Sequence, residues 1–261
     1  MNIQNSIVPA LERALNIIEY IASQNEPVTM KQIIKDLEIP SASAFRLVKN
    51  LVSRGYVTEL AEGHMAYILG DKFLNIATKY KRNSSLHLAA KPIMLSLANQ
   101  VGQTVQLGIW KNGSLIYIDQ AFSSAPLSVI APLYEPVPLN ASASAKVLLG
   151  YLTEKECTKA IASCPFEKLT VNTITDKALF LKEIQNSNTC GYGYDNEEFS
   201  IGIGCLAVPI FDRQKKCIGA IGTTGSIQEY QHPSTFQKML TSLQDASAKI
   251  TQGLGTANLS L

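Results

Sequence analysis

The chain has 261 residues, 46% of them hydrophobic and 17% charged, and a formal net charge of +2. This balance suits two ordinary folded domains and excludes a disordered or polybasic chain. No apolar run reaches the roughly 18 residues of a membrane span, and the first six residues lack the pattern of a signal peptide, so a cytoplasmic protein without membrane contact is expected.

Leu11, Ala14, Leu15, Ile18, Ile21 and Ala22 recur at helical spacing and predict a first helix over residues 10–23, its stripe packed behind the segments that follow. Thr29 and Gln32 have the spacing of a capping box, which starts a second helix burying Ile33, Ile34 and Leu37. It must stop near Glu38, Ile39 and Pro40, because proline disfavours a helical residue before it and cannot donate its own N–H. Ala44, Leu47, Val48 and Leu51 then predict a third helix that turns Ser43, Arg46, Lys49, Asn50 and Ser53 outward. Gly55 fits a helix end that needs positive φ. Residues 56–60 and 64–69, around Ala61, Glu62 and Gly63, read as a hairpin.

Two helices joined by a tight turn and followed by a hairpin make a winged helix, whose second motif helix enters the DNA major groove. Overall basicity gives no support, since residues 1–70 hold six Lys/Arg against seven Asp/Glu. The local pattern does, because Arg46, Lys49 and Arg54 give the recognition helix three positive charges and no negative one. A winged helix used only for protein contacts is the alternative.

Residues 71–82 read as a helix, interrupted at Asn83, Ser84 and Ser85 and resumed over 86–101 with Leu88, Ile93, Leu97 and Val101 among its apolar positions. The interrupted helix is expected to be a linker, with Lys79, Lys81 and Arg82 exposed along it. The expected domains are thus residues 1–70, a linker and start of the second domain over 71–102, and a second domain over 103–261. Asn112-Gly113 between alternating runs predicts a hairpin of residues 104–110 and 114–120, with a third strand at 127–131. Helices over 142–152, 154–163 and 176–186 precede strands at 205–211 and 217–223 and a final helix over 233–252. The class is α+β, an antiparallel sheet with packed helices.

Cys157, Cys164, Cys190, Cys205 and Cys217 form no Cys-x-x-Cys pair and are odd in number, so a disulfide framework is not expected and most should be small buried residues. His64, His87 and His232 are scattered, and neither a metal site nor a cofactor is expected. An enzyme reading rests on Ser142, Ser144 and Lys146, whose spacing does not place serine and lysine as a Ser-x-x-Lys motif does. The glycines 219, 222 and 225 resemble a phosphate loop only loosely. Asp195, Glu197 and Glu198 read as solvated acids on a loop.

The chain resembles the isocitrate lyase regulator (IclR) family of bacterial transcription factors along nearly its whole length. The matching pieces include residues 10–18, Ile39-Pro40, Phe45-Arg46-Leu47-Val48, Arg54-Gly55-Tyr56-Val57 and Tyr67-Ile68-Leu69-Gly70. Residues 137–146, 172–175, 191–198 and 202–212 match in the second half. The resemblance implies a winged helix-turn-helix, a helical linker and a GAF-like effector-binding domain. It implies a regulator, a repressor rather than an activator of catabolic genes, that acts as a homodimer or dimer of dimers on double-stranded operator DNA. Ser41, Ala42, Ser43, Phe45, Arg46, Lys49 and Arg54 would face the DNA. A small organic, sugar or aromatic acid would enter a pocket lined by Val129, Val137, Ala143, Ser144, Asp195, Ile203, Cys205, Gly222 and Thr224. The sequence departs from the family pattern at Ser41, Asn140, Ala145 and Gly222, where Lys, His, Gly and Ser are common.

Overall fold

The computed structural model describes residues 8–60, 65–82, 85–125 and 128–254. The predicted turn at residues 61–63, His64, the break at residues 83 and 84 and the start of the predicted strand at Leu127 lie outside them. The chain divides into two compact units between residues 83 and 84.

The first unit comprises α1 (Pro9–Ser23), β1 (Val28–Thr29), α2 (Met30–Asp36), α3 (Ser41–Ser53), β2 (Val57–Leu60), β3 (Ala66–Leu69) and α4 (Lys72–Arg82). Its strands form an antiparallel sheet in the order β1-β3-β2. The capping box is formed at α2: Gln32 N–H donates to Thr29 Oγ1, and Gln32 Oε1 accepts from Thr29 N–H at 2.8 Å. Glu38 has φ of 51° in the turn before Pro40, and α3 starts at the next residue. At its end Gly55 has φ of 76°, with Gly55 N–H bonded to Val52 O and Tyr56 N–H to Leu51 O, the double closure that only a left-handed residue permits.

Ile17, Ile21, Ile33, Ala44, Val48, Leu51, Val57 and Tyr67 form the core of this unit. The α1 stripe is only partly used. Of the expected stripe only Ile21 is fully buried, beside Ile17, which the stripe did not include; Leu11 and Leu15 are 58% and 46% exposed, and Ala22 is exposed too. The apolar arc of α1 is longer than the small core it covers.

The second unit contains α5 (Ser85–Val101), β4 (Thr104–Lys111), β5 (Ser114–Ala121), a 3-10 turn (Leu139–Ala141), α6 (Ala143–Gly150), α7 (Glu154–Ser163), α8 (Lys177–Cys190), β6 (Gly193–Asn196), β7 (Ile203–Phe211), β8 (Cys217–Ser226), α9 (Ile227–Gln231) and α10 (Pro233–Gly253). The five strands make one antiparallel sheet in the order β5-β4-β8-β7-β6. Alternate side chains take opposite faces. Leu206, Val208, Ile210 and Ile221 pack with α5 and α10, while Ala207 and Ala220 pack with α6, α7 and α8.

Three expectations are corrected. Residues 128–131 are not a strand, because Pro132, Pro136 and Pro138 prevent a regular ladder; the segment is instead fastened by side chains. Leu88 is exposed, and α5 buries Leu86, Ala90, Met94, Leu97 and Ala98. Of the five cysteines, all free thiols, only Cys164 is fully buried, and Cys190 is exposed. Strand β6 and the short α9 carry too few residues to show a period, and the sequence reading did not find them.

Candidate DNA-binding face and effector cavity

The outer face of α3 is built from residues that its buried stripe leaves over. Ser41, Ala42, Phe45, Arg46, Lys49 and Arg54 are exposed and Ser43 is half-buried. Phe45, 45% exposed, adds an apolar surface of the kind that meets a thymine methyl. Lys49 is not a free cation. Its Nζ lies 3.0 Å from Glu59 Oε2 on β2, an acid that the sequence reading did not connect to the helix.

In the second unit a cavity of about 240 Å³ opens between the sheet, the start of α6 and the segment of residues 129–138. Sheet register explains its floor: Asp195 on β6 pairs with Cys205 on β7, and Cys205 pairs with Thr224 on β8, so one row crosses three strands on the same face. The Cys205 thiol donates to Thr224 Oγ1 at 3.3 Å, and Asp195 Oδ1 accepts from Glu198 N–H at 2.7 Å. Burial pushes the Asp195 carboxyl above its ordinary range and the Cys205 thiol well above its own. Tyr117 reaches in from β5, its hydroxyl 3.5 Å from both Ser142 Oγ and Ser144 Oγ, and burial pushes it up to about 12.

The structure brings together Val129, Val137, Asp195, Ile203, Cys205 and Thr224 on the cavity wall. It does not bring Ala143, Ser144 or Gly222 there. Ser144 lies behind Tyr117, and Ala143 is buried in the first turn of α6 with its carbonyl against Gly193. Gly222 does not leave room for a ligand either: a Cβ there would sit 2.9 Å from Leu206 O and 3.1 Å from Ala207 Cβ, so the space belongs to the sheet's own packing.

Sequence reasoning missed Gln106, Tyr117, Ser142, Phe199 and Ser200 on the wall. Gln106 and Tyr117 could have been found by alternation on the hairpin strands, and Ser142 by its cap: its hydroxyl accepts from Ala145 N–H. The segment over the cavity is held by Gln120, whose amide donates to Ala131 O at 2.6 Å and accepts from Ala131 N–H at 3.1 Å. Thr104 Oγ1 accepts from Val129 N–H.

The residues of the enzyme reading serve the fold. Ser142 caps α6, and Lys146 Nζ donates to Glu198 Oε1 and Tyr194 O, each at 2.6 Å, not to a serine. Gly219, Gly222 and Gly225 lie within β8 and form no loop. The acids at 195 and 198 are buried, contrary to the expected solvated loop. Asn140, at a position where the family often has His, donates to Glu167 O and Ile174 O and ties down the 164–174 segment without lining the cavity.

Comparison with known proteins agrees with both halves. The profile of the IclR helix-turn-helix domain matches residues 10–61, and that of the bacterial transcriptional regulator IclR C-terminal domain matches residues 78–252. The transcriptional repressor IclR of Escherichia coli (strain K12) is 26% identical over 223 residues, 84% of this chain and 81% of that protein. The Thermotoga maritima IclR structure superposes with a TM-score of 0.80 at 24% identity, covering 94% of this chain and 98% of that one. An IclR homolog from Microbacterium hydrocarbonoxydans complexed with 4-hydroxybenzoate superposes with a TM-score of 0.79 at 20% identity, covering 95% and 99%. With a helix-turn-helix and a sheet-borne cavity both in place, the chain belongs to the IclR family of ligand-responsive, DNA-binding bacterial transcriptional regulators.

Proposed function

We propose that the chain is a cytoplasmic repressor of catabolic genes that grips double-stranded operator DNA through α3 and answers to a small organic, sugar or aromatic acid in the cavity of the second unit. The observation that carries the ligand reading is the chemistry of that cavity. Its wall is mainly apolar, with Tyr117, Ser142, Ser200 and Thr224 as hydroxyl partners, and its one carboxyl, Asp195, has its proton affinity raised by burial. The apolar wall fits a carbon skeleton of a few atoms to one ring.

The protein acts as a homodimer or a dimer of dimers, a reading supported by the exposed Leu11 and Leu15 on α1, which a second copy would cover. Paired recognition helices would meet half-sites about one DNA turn apart, ~34 Å, or a multiple of it. The ligand biases two arrangements of that assembly by its differential affinity for them, typically ~1–3 kcal/mol.

Thermal unfolding against a panel of organic, sugar and aromatic acids, 4-hydroxybenzoate among them, tests the ligand reading. A true ligand at a hundredfold excess over its Kd stabilises the folded state by about 2.7 kcal/mol, and Asp195→Asn should abolish the shift. A shift that survives Asp195→Asn and Thr224→Val alike would place the ligand elsewhere and overturn the reading.

A further inference from the structure

One cation on the outer face of α3 is already engaged by the wing strand β2. Lys49 Nζ donates to Glu59 Oε2 at 3.0 Å and lies 3.5 Å from Oε1. Glu59 sits directly opposite Tyr67 in the β2–β3 ladder, and its Oε1 also accepts from the Tyr67 hydroxyl at 3.5 Å. Tyr67 is part of the buried core, so the acid is fixed at the joint between recognition helix and wing. The two side chains differ in exposure, 58% for Lys49 and 23% for Glu59.

That asymmetry decides what happens when DNA approaches. A phosphate could draw Lys49 away, since an exposed ion pair is weak. The carboxylate left behind would then be half-buried, without its cation, and close to a polyanion, which is an unfavourable exchange. We propose that Glu59 is a positioning residue that restrains the recognition helix: it keeps Lys49 on the wing, so α3 neutralises one phosphate fewer than its sequence allows. This rests on the reading of α3 as the DNA-facing helix.

The consequence is a weaker hold on DNA of any sequence. Binding to arbitrary DNA is almost wholly phosphate electrostatics, whereas operator binding also draws on base contacts. Withholding one phosphate contact lowers both by a similar free energy, which is a larger share of the first than of the second.

The test measures affinity for a random-sequence DNA duplex as a function of salt. In Glu59→Gln, which keeps an acceptor for Tyr67, Lys49 is released, and the slope of log K against log salt should steepen by about 0.9. Between roughly 50 and 200 mM salt, that slope makes the variant lose about 3.5-fold more affinity than the parent. Adding Lys49→Ala to Glu59→Gln should restore the parental slope, and Lys49→Ala alone should leave it unchanged. An unaltered slope in Glu59→Gln, or a slope shallower by about 0.9 in Lys49→Ala alone, would overturn the proposal. Failure of the parent protein to bind the duplex at any salt would instead remove the DNA-facing reading beneath it, a distinct result. Thermal unfolding of each variant separates loss of fold from loss of contact.

Discussion

Each unit holds a lysine–glutamate pair, and the two pairs obey different physics. Lys49 and Glu59 meet at 3.0 Å with the lysine mostly in solvent; Lys146 and Glu198 meet at 2.6 Å with side chains only 1% and 9% exposed. The first is a surface contact in which the lysine stays in solvent while the carboxylate is largely covered. The second is an anchor: Lys146 also donates to Tyr194 O, and Glu198 N–H reaches Asp195, so one buried ammonium fixes the strand and turn that carry the cavity's acid. The same two residue types thus serve as an adjustable restraint in one unit and a fixed support in the other.

Removing half of the buried pair should break the comparison most sharply. Lys146→Met leaves Glu198 buried without its cation and should destabilise the second unit by about 3–5 kcal/mol, read by calorimetry or urea unfolding. Replacing both residues with apolar ones of similar size should recover most of that loss, because the desolvation of two charges disappears together. A loss as large in the double variant would mean that the pair stabilises by itself.

The largest effect expected on the outer face of α3 is smaller. Arg46→Ala should lower operator affinity by about 1–3 kcal/mol and relax sequence selectivity if Arg46 reads a base. Equal weakening on every sequence in a binding titration would reassign it to the phosphate backbone.

Proton linkage sharpens the contrast further. Burial pushes Glu198 from its ordinary 4.5 up to about 7, against the opposing pull of Lys146. Between those values the folded unit holds a proton that the unfolded chain does not, so this group's contribution to stability declines as pH rises from 4.5 to about 7 and is level above that. Glu198→Gln should flatten that slope in unfolding measured across the same range. The exposed pair should register least: Lys49→Ala should shift thermal unfolding less than Lys146→Met or Glu198→Gln does, and a shift as large would show that the joint between helix and wing depends on it.

What could be read from the sequence was local. The cap at Thr29, the stop at Pro40, the glycine at 55 and the Asn112-Gly113 turn are each decided within a few residues, and all four are formed, with Asn112 and Gly113 at φ of 53° and 82°. What could not be read depended on distant partners. Lys146 looks like a serine neighbour in sequence, yet its partner is 52 residues away. Gly222 looks like space for a ligand until the neighbouring strand is placed against it. Six of the nine expected cavity residues do share one wall because the resemblance carried long-range register that periodicity alone does not contain. The exposure of Leu11 and Leu15 was illegible for a related reason, since a helical stripe reports which residues are apolar and not how wide the core beneath them is.

The fastening of Ala131 by Gln120 bears on kinetics. A segment held by the Gln120 amide, the Thr104 hydroxyl and a few scattered backbone bonds can part from β5 while the five-stranded ladder stays intact. Amide hydrogen exchange at Val129 and Ala131 should accordingly outpace that at Leu107, which is paired on both sides in the sheet. The rate at which a small molecule could enter the cavity beside Asp195 would then be set by the opening of this strap, a step separate from unfolding of the sheet.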